Sequence, residues 1–293
     1  MPSARPPLTA AGIAEYGGVL ATNTWIGGGL PNANAWDQAN NWSLGSAPSS
    51  TDDVAIDSAH DQPSIAFNSN VSINSLTLNG GAMITFPGIA LPGDVVLNVL
   101  GSIVNNGSLK APFGKTLVAA TGGITNNGTG LITSFILDGN FITNGGTIDA
   151  CQITLAGGIT NNATGVITNS QVLTNSGDLT NIGLIADCNN SFQVYSGITN
   201  NVTGTITNSN LPTNYGDITN SGSITGGSLQ ASSGGITNSS TGTITNTRLF
   251  ANSGNITNSG SITQAGEVYA ASGNITNSIP ARLRVVTLLL PAT

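Results

Sequence analysis

The chain has 293 residues, enough for a large core, yet only 6% are charged and 5% aromatic, where an ordinary globular domain is about a quarter charged. The net charge of −7 includes six basic residues, Arg5, Lys110, Lys115, Arg248, Arg282 and Arg284, too scattered to form a phosphate-neutralising patch, so nucleic acid is not expected as a partner. No stretch reaches the roughly eighteen apolar residues of a membrane span, and a mean hydropathy of +0.14 with a regular Ile ladder argues against disorder despite 39 glycines.

Residues 1–23 read as an N-terminal arm, with a Pro-rich opening followed by an extended segment from Gly12 to Leu20. The arm holds no continuous apolar core of the signal-peptide kind, so export is expected by another route or from a start upstream of residue 1. Residues 24–70 read as a cap that carries all three tryptophans: Trp25-Ile26-Gly27, Trp36 and Asn41-Trp42, then Pro48 and Asp52-Asp53-Val54-Ala55-Ile56. Large aromatic side chains suit the first coil of a stack, where strand edges would otherwise be bare. This succession resembles the opening of the β-helical passenger regions of bacterial autotransporters and filamentous-haemagglutinin-type surface adhesins. The resemblance covers about thirty residues, together with the general style of the repeat that follows, and it implies a β-helical, surface-exposed protein. The sequence departs from that pattern in lacking a recognisable signal sequence and an amphipathic C-terminal region sized for an outer-membrane barrel.

From 71 to 279 the sequence reads as a parallel β-helix. A small residue followed by Ile-Thr-Asn returns about every nineteen residues, with its first anchor at Ile103, Ile124, Ile142, Ile159, Leu179, Ile198, Ile218, Ile236, Ile256 and Ile275. A second anchor follows in each coil, from Leu109 and Ile132 through Ile262. A third is read at Leu117, Ile153, Val172, Val194, Leu211, Leu229, Leu249 and Val268. Three short strands per coil result. The gap between first and second anchor alternates between eight and six residues, so the unit is a pair of coils, about 38 residues long. Strand alternation points Ile inward and Thr outward, and Asn at the strand end can turn inward to bond its copies above and below. About ten such coils at roughly 4.8 Å give a rod on the order of 50 Å long, with a right-handed winding expected by analogy.

Cys151 and Cys188 follow second anchors by three residues, with Ser170 in the same column between them. Two coils separate them by roughly 9.6 Å, beyond disulfide reach, so free thiols are expected. Residues 280–293 break the pattern. The run Leu283, Val285, Val286, Leu288, Leu289, Leu290 is too apolar to lie in water, and reads either as a closing strand on the last coil or as a strand given to another subunit.

Catalytic β-helices need clustered acids or bases, and this array spreads Asp138, Asp149, Asp178, Asp187 and Asp217 singly along its length. His60, the single histidine, sits in a loop with Asp57 and Asp61 and reads as a surface residue. No enzyme activity, cofactor or metal is expected. An outward rank of Thr205/Thr207, Ser223/Thr225, Thr243/Thr245 and Ser261/Thr263 makes ice binding the main alternative, and a polysaccharide-binding or polysaccharide-cleaving role a lesser one. Phe141, Tyr195, Tyr215, Phe250 and Tyr269 read as too dispersed for sugar binding. The expected function is a non-catalytic subunit of an extracellular or cell-surface filament, sheath or adhesive appendage. Its partner is itself, head to tail, with a host or surface ligand possible as a second. The assembly residues would be Trp25, Trp36 and Trp42 at one end and the Leu-rich tail at the other.

Overall fold

The computed structural model describes residues 21–28, 32–60, 62–63, 71–86, 96–111, 116–188 and 192–289. In the Ile-Thr-Asn strands before the last coil the outer two residues are buried and Thr faces out, as in Ile142–Asn144, Ile159–Asn161 and Ile218–Asn220. These segments are too short and too β-branched for helix, and they find their hydrogen-bond partners one coil away. Together with four earlier strands they make thirteen, from Thr22–Thr24 to Ile275–Asn277, that stack in parallel as the first face. The second and third strands of each coil belong to one nineteen-stranded sheet. Thr205–Thr213, Ser223–Ala231 and Ser261–Ala270 each run from the second face into the third without a break. The fold is therefore an all-β parallel solenoid, and helix among the described residues is limited to a 3-10 turn at Ala39–Asn41. Thirteen strands at roughly 4.8 Å make a rod about 60 Å long.

The first-anchor column is in register from Ile103 to Ile275, like on like. The second-anchor column runs without slip from Leu109 to Ile262. Two third anchors move. Val118, not Leu117, pairs with Leu137, and Phe192, not Val194, pairs with Val172. For the second the cause is the two-residue period: Phe192 and Val194 both face the core, so either fits the apolar pattern until a partner strand fixes the register. Val194 lies instead in the next inward column, beside Thr174 and Thr213.

The stack extends past both expected boundaries of the regular array. Thr22–Thr24 pairs with Asp53–Ile56, and that strand pairs with Ser75–Leu78, so the first face begins within residues read as arm and cap. At the other end Arg282–Leu289 lies parallel on Ser261–Ala270 of its own chain, with Leu283 beside Ile262 and Leu288 beside Val268. The tail continues the anchor columns, although its sequence carries no trace of the Ile-Thr-Asn phrase. The bulge between Ile262 and Ala265 in this pairing absorbs the changed spacing.

Two columns recur from coil to coil, one buried and one at a largely exposed corner. Asn105, Asn126, Asn144, Asn161, Asn181, Asn200, Asn220, Asn238, Asn258 and Asn277 form an unbroken ladder, each Nδ2 donating to the next Oδ1 at 2.7–2.8 Å. The second amide hydrogen of each goes to corner carbonyls, as from Asn161 to Gly165 and Leu184 at 3.1 Å. Burial without such partners would cost each amide several kcal/mol, roughly 2–7. The second column lies two residues after each second anchor, where the chain turns from second to third face. Ser134, Ala150, Asn169, Asp187, Asn208, Asn246 and Gln264 all have φ between 46° and 62°, and Gly226 has φ 74°. A left-handed residue at this corner is thus a requirement of the coil, met by five residue types besides glycine.

The alternation of long and short turns also has a structural consequence. In every long turn a threonine hydroxyl donates back to the coil below, Thr129 to Asn106, Thr164 to Gly145, Thr203 to Ile182 and Thr241 to Ser221, at 2.7–3.1 Å. Each long turn is braced on one side, and the surface repeats every second coil.

Candidate functional surfaces

At the N-terminal end the structure brings the three tryptophans into one cluster. The Trp25 and Trp42 ring centroids are 4.9 Å apart at 80°, those of Trp36 and Trp42 4.8 Å apart at 70°, and Trp42 Nε1 donates to the Trp36 carbonyl at 2.7 Å. None exceeds 5% exposure, so the rings pack against their own chain. They help to seat residues 41–46 on the outer edge of the first strand. Ser43 N donates to the Thr24 carbonyl and Thr24 N to Ser43 Oγ, both at 2.9 Å, and Asn23 Nδ2 donates to the Ser46 carbonyl at 3.0 Å. That edge is covered.

The C-terminal end is different. Ile256, Ile262 and Ala265 are 0–1% exposed, but their column-mates Ile275, Leu283 and Val285 are only partly buried. Ile279 beside them is 98% exposed. Among the described residues no strand pairs on the far side of Ile275–Asn277 or Arg282–Leu289. Val286, Leu288 and Leu289 are placed here by their backbone, and Leu290 lies outside the described residues.

The threonine rank on the second face is in register: Thr205, Ser223, Thr243 and Ser261 form one column, and Thr207, Thr225, Thr245 and Thr263 the other. It is bounded on both sides, by Leu184 and Ala186 in the coil below and by Arg282 beside Ser261 above. The first face carries a longer single file of nine threonines, Thr125 to Thr276, each beside a changing neighbour such as Phe141, Asp178 or Asn255.

The carboxylates of the array brace adjacent coils. Asp178 and Asp217 accept the backbone N–H of Gly197 and Gly235 at 2.8 and 2.7 Å, and Asp149 accepts from Thr168 Oγ1 and Asn169 Nδ2 at 2.8 and 2.9 Å. His60 is exposed; Asp61 lies outside the described residues. Among the described residues no three His, Cys, Asp or Glu side chains converge as metal ligands would. Cys151 and Cys188 are free and buried in one column with Ser170, whose hydroxyl accepts from Cys151 N at 3.2 Å. Burial pushes the Cys151 thiol up to about 12 and the Cys188 thiol to about 11.

The exposed aromatics are not dispersed. Tyr195 and Tyr215 stand on adjacent coils with ring centroids 4.7 Å apart and planes at 51°, and Phe250 and Tyr269 pair at 6.5 Å. The signal was in the sequence: Tyr195 and Tyr215 each precede a first anchor, Ile198 or Ile218, by three residues. Beside the tyrosines the third face has a concavity of about 390 Å³, lined by Gln152, Thr154, Gln171, Leu173, Gln193 and Pro212.

No family model matches the chain, and no curated protein matches it. Among solved structures the chain is similar to the crystal structure of a TibC-catalysed hyper-glycosylated TibA fragment, with 19% identity over 78% of this chain and 89% of that one, at a TM-score of 0.32. A likeness of that degree bears on neither the function nor the details of the fold. No helix among the described residues is long and apolar enough to cross a membrane.

Proposed function

We propose that the chain is a non-catalytic structural rod of the cell surface or extracellular space, joined to a second copy through its last coil. The observation that carries this reading is the contrast between the two ends. At one, the first-face edge is covered by the chain's own Ser43–Ser46 segment, and the other leaves Ile275, Leu283 and Val285 only partly buried beside an exposed strand edge. Covering such an edge gains both ladder hydrogen bonds and apolar burial. A second copy offers the same edge, and a two-fold contact between identical edges closes on itself. A head-to-tail filament requires an open edge at both ends, and Thr24 already bonds Ser43, so the ends favour a pair of rods over an open-ended polymer. A surface rich in Thr, Ser and Asn and nearly free of charge suits an exported protein. Asp149, Asp178, Asp187 and Asp217, each tied to a neighbouring coil, suit a scaffold better than a catalyst.

The test is negative-stain electron microscopy of the full chain and of a Leu283→Lys/Val285→Lys variant across a concentration series. Rods of doubled length that form at high concentration and are lost in the variant are the expected result. Single rods at every concentration would contradict the reading, and long filaments would replace the pair with the head-to-tail arrangement.

A further inference from the structure

We infer that the third face, midway along the rod, carries a binding site for a neutral oligosaccharide, centred on Tyr195, Tyr215 and the concavity beside them. This goes beyond the structural role and does not depend on it, since the patch lies on a face and not at an end.

The two tyrosines are 41% and 63% exposed, and their rings open toward solvent at 51° to each other. Apolar ring faces held in water are costly unless something covers them. Here they are fixed, because Tyr215 N donates to the Tyr195 carbonyl at 3.0 Å and both backbones belong to the stack. A hydrogen bond shared with Tyr215 raises the Tyr195 pKa, so that hydroxyl stays protonated. The concavity adds amides at three successive levels, Gln152, Gln171 and Gln193, with Leu173 and Pro212 as its apolar surface. Gln193 links the two parts, since its Nε2 donates to Asn214 Oδ1 at 3.2 Å, next to Tyr215.

Among the described residues no charged side chain lines this concavity. Amides both donate and accept, as sugar hydroxyls do, and a ring face takes the C–H face of a pyranose. A phosphate or an acidic peptide would find no counter-charge. A purely apolar ligand would strip water from three amides without replacing their bonds. A neutral, polyhydroxylated chain satisfies both the rings and the amides.

The test is isothermal titration calorimetry of the full chain with neutral hexasaccharides of glucose, mannose and N-acetylglucosamine, and with an oligogalacturonate as the acidic comparison. At least one neutral hexasaccharide binds, more tightly than the acidic one, and Tyr195→Ala/Tyr215→Ala weakens it tenfold or more, while Phe250→Ala leaves it unchanged. Gln193→Ala, at an exposed amide, weakens it several-fold and serves if the double variant does not fold. Failure of all three neutral probes to bind, tighter binding of the acidic probe, or undiminished binding by the tyrosine or glutamine variants would overturn the proposal.

Discussion

Asn144 Nδ2 donates to Asn161 Oδ1 at 2.8 Å, and Asn161 Nδ2 donates in turn to Asn181 Oδ1 at the same distance, both side chains being fully buried. Asn161→Ala takes one of two acceptors from Asn144 Nδ2 and leaves Asn181 Oδ1 and the Gly165 and Leu184 carbonyls without the Asn161 donor. At about 1–3 kcal/mol for each buried group left unpaired, partly relieved by entering water, the loss of stability is on the order of 3 kcal/mol. Urea unfolding of the variant, read as a lower midpoint at unchanged slope, checks it.

The glycine that follows this ladder is a steric requirement. A Cβ on Gly183 would fall inside contact distance of the Gly165 and Asn162 carbonyls, whereas one on Gly128 meets nothing nearer than 3.9 Å. Gly183→Ala must push two backbone strands apart and is expected to cost about 2–3 kcal/mol, while Gly128→Ala stays within about 0.5 kcal/mol of the parent. Thermal melts of the two variants side by side separate the cases.

At the corner column the sign is opposite. Ala150 has φ 53° and is exposed, so its side chain contributes strain without packing. The left-handed conformation costs a non-glycine residue roughly 1–2 kcal/mol, and glycine returns part of that as unfolded-state entropy. Ala150→Gly is therefore expected to raise stability by about 0.5 kcal/mol, seen as a higher denaturation midpoint.

The buried thiols make the rod sensitive to alkali. Burial raises Cys151 from 9.0 to about 12 and Cys188 from 9.0 to about 11. For groups raised on folding, the contribution is fully present below the unfolded value and is lost as pH climbs through the folded one. Stability should hold up to about pH 9 and fall from there toward pH 12. Cys151→Ser, which copies Ser170 in the same column, removes part of that fall. Unfolding followed from pH 8 upward checks this, and at pH 8 a thiol reagent should reach neither cysteine before the chain unfolds.

The coil architecture was legible because the Ile-Thr-Asn phrase fixes two columns redundantly: an apolar anchor and an amide two residues later, both of which must stack on their own kind. The third strand has no such marker: Phe192 and Val194 both lie inward and satisfy its alternation, so Val194 reads as the anchor, and in the unbroken apolar run Leu117-Val118-Ala119-Ala120 no alternation shows the register. The left-handed corner was hidden by chemistry, since Ala150, Gln264 and Asp187 do not announce a positive φ. The tail left two readings open, and pairing decides for the closing strand on its own chain: Leu283 lies beside Ile262 without the phrase to announce it. The tyrosine pair looked dispersed in sequence, but counting from the nearest anchor places Tyr195 and Tyr215 level on adjacent coils.

The most direct test of the joint between copies is amide hydrogen exchange of Ile275–Asn277 and Arg282–Leu289 at increasing protein concentration. These strands have no described partner on their outer side, so their outward amides should exchange rapidly in dilute solution. The account predicts that protection appears there, and not at Thr22–Thr24, as concentration rises, and that Leu283→Lys/Val285→Lys abolishes it. Exchange at the last coil that is independent of concentration would contradict the claim that this edge is where two rods meet.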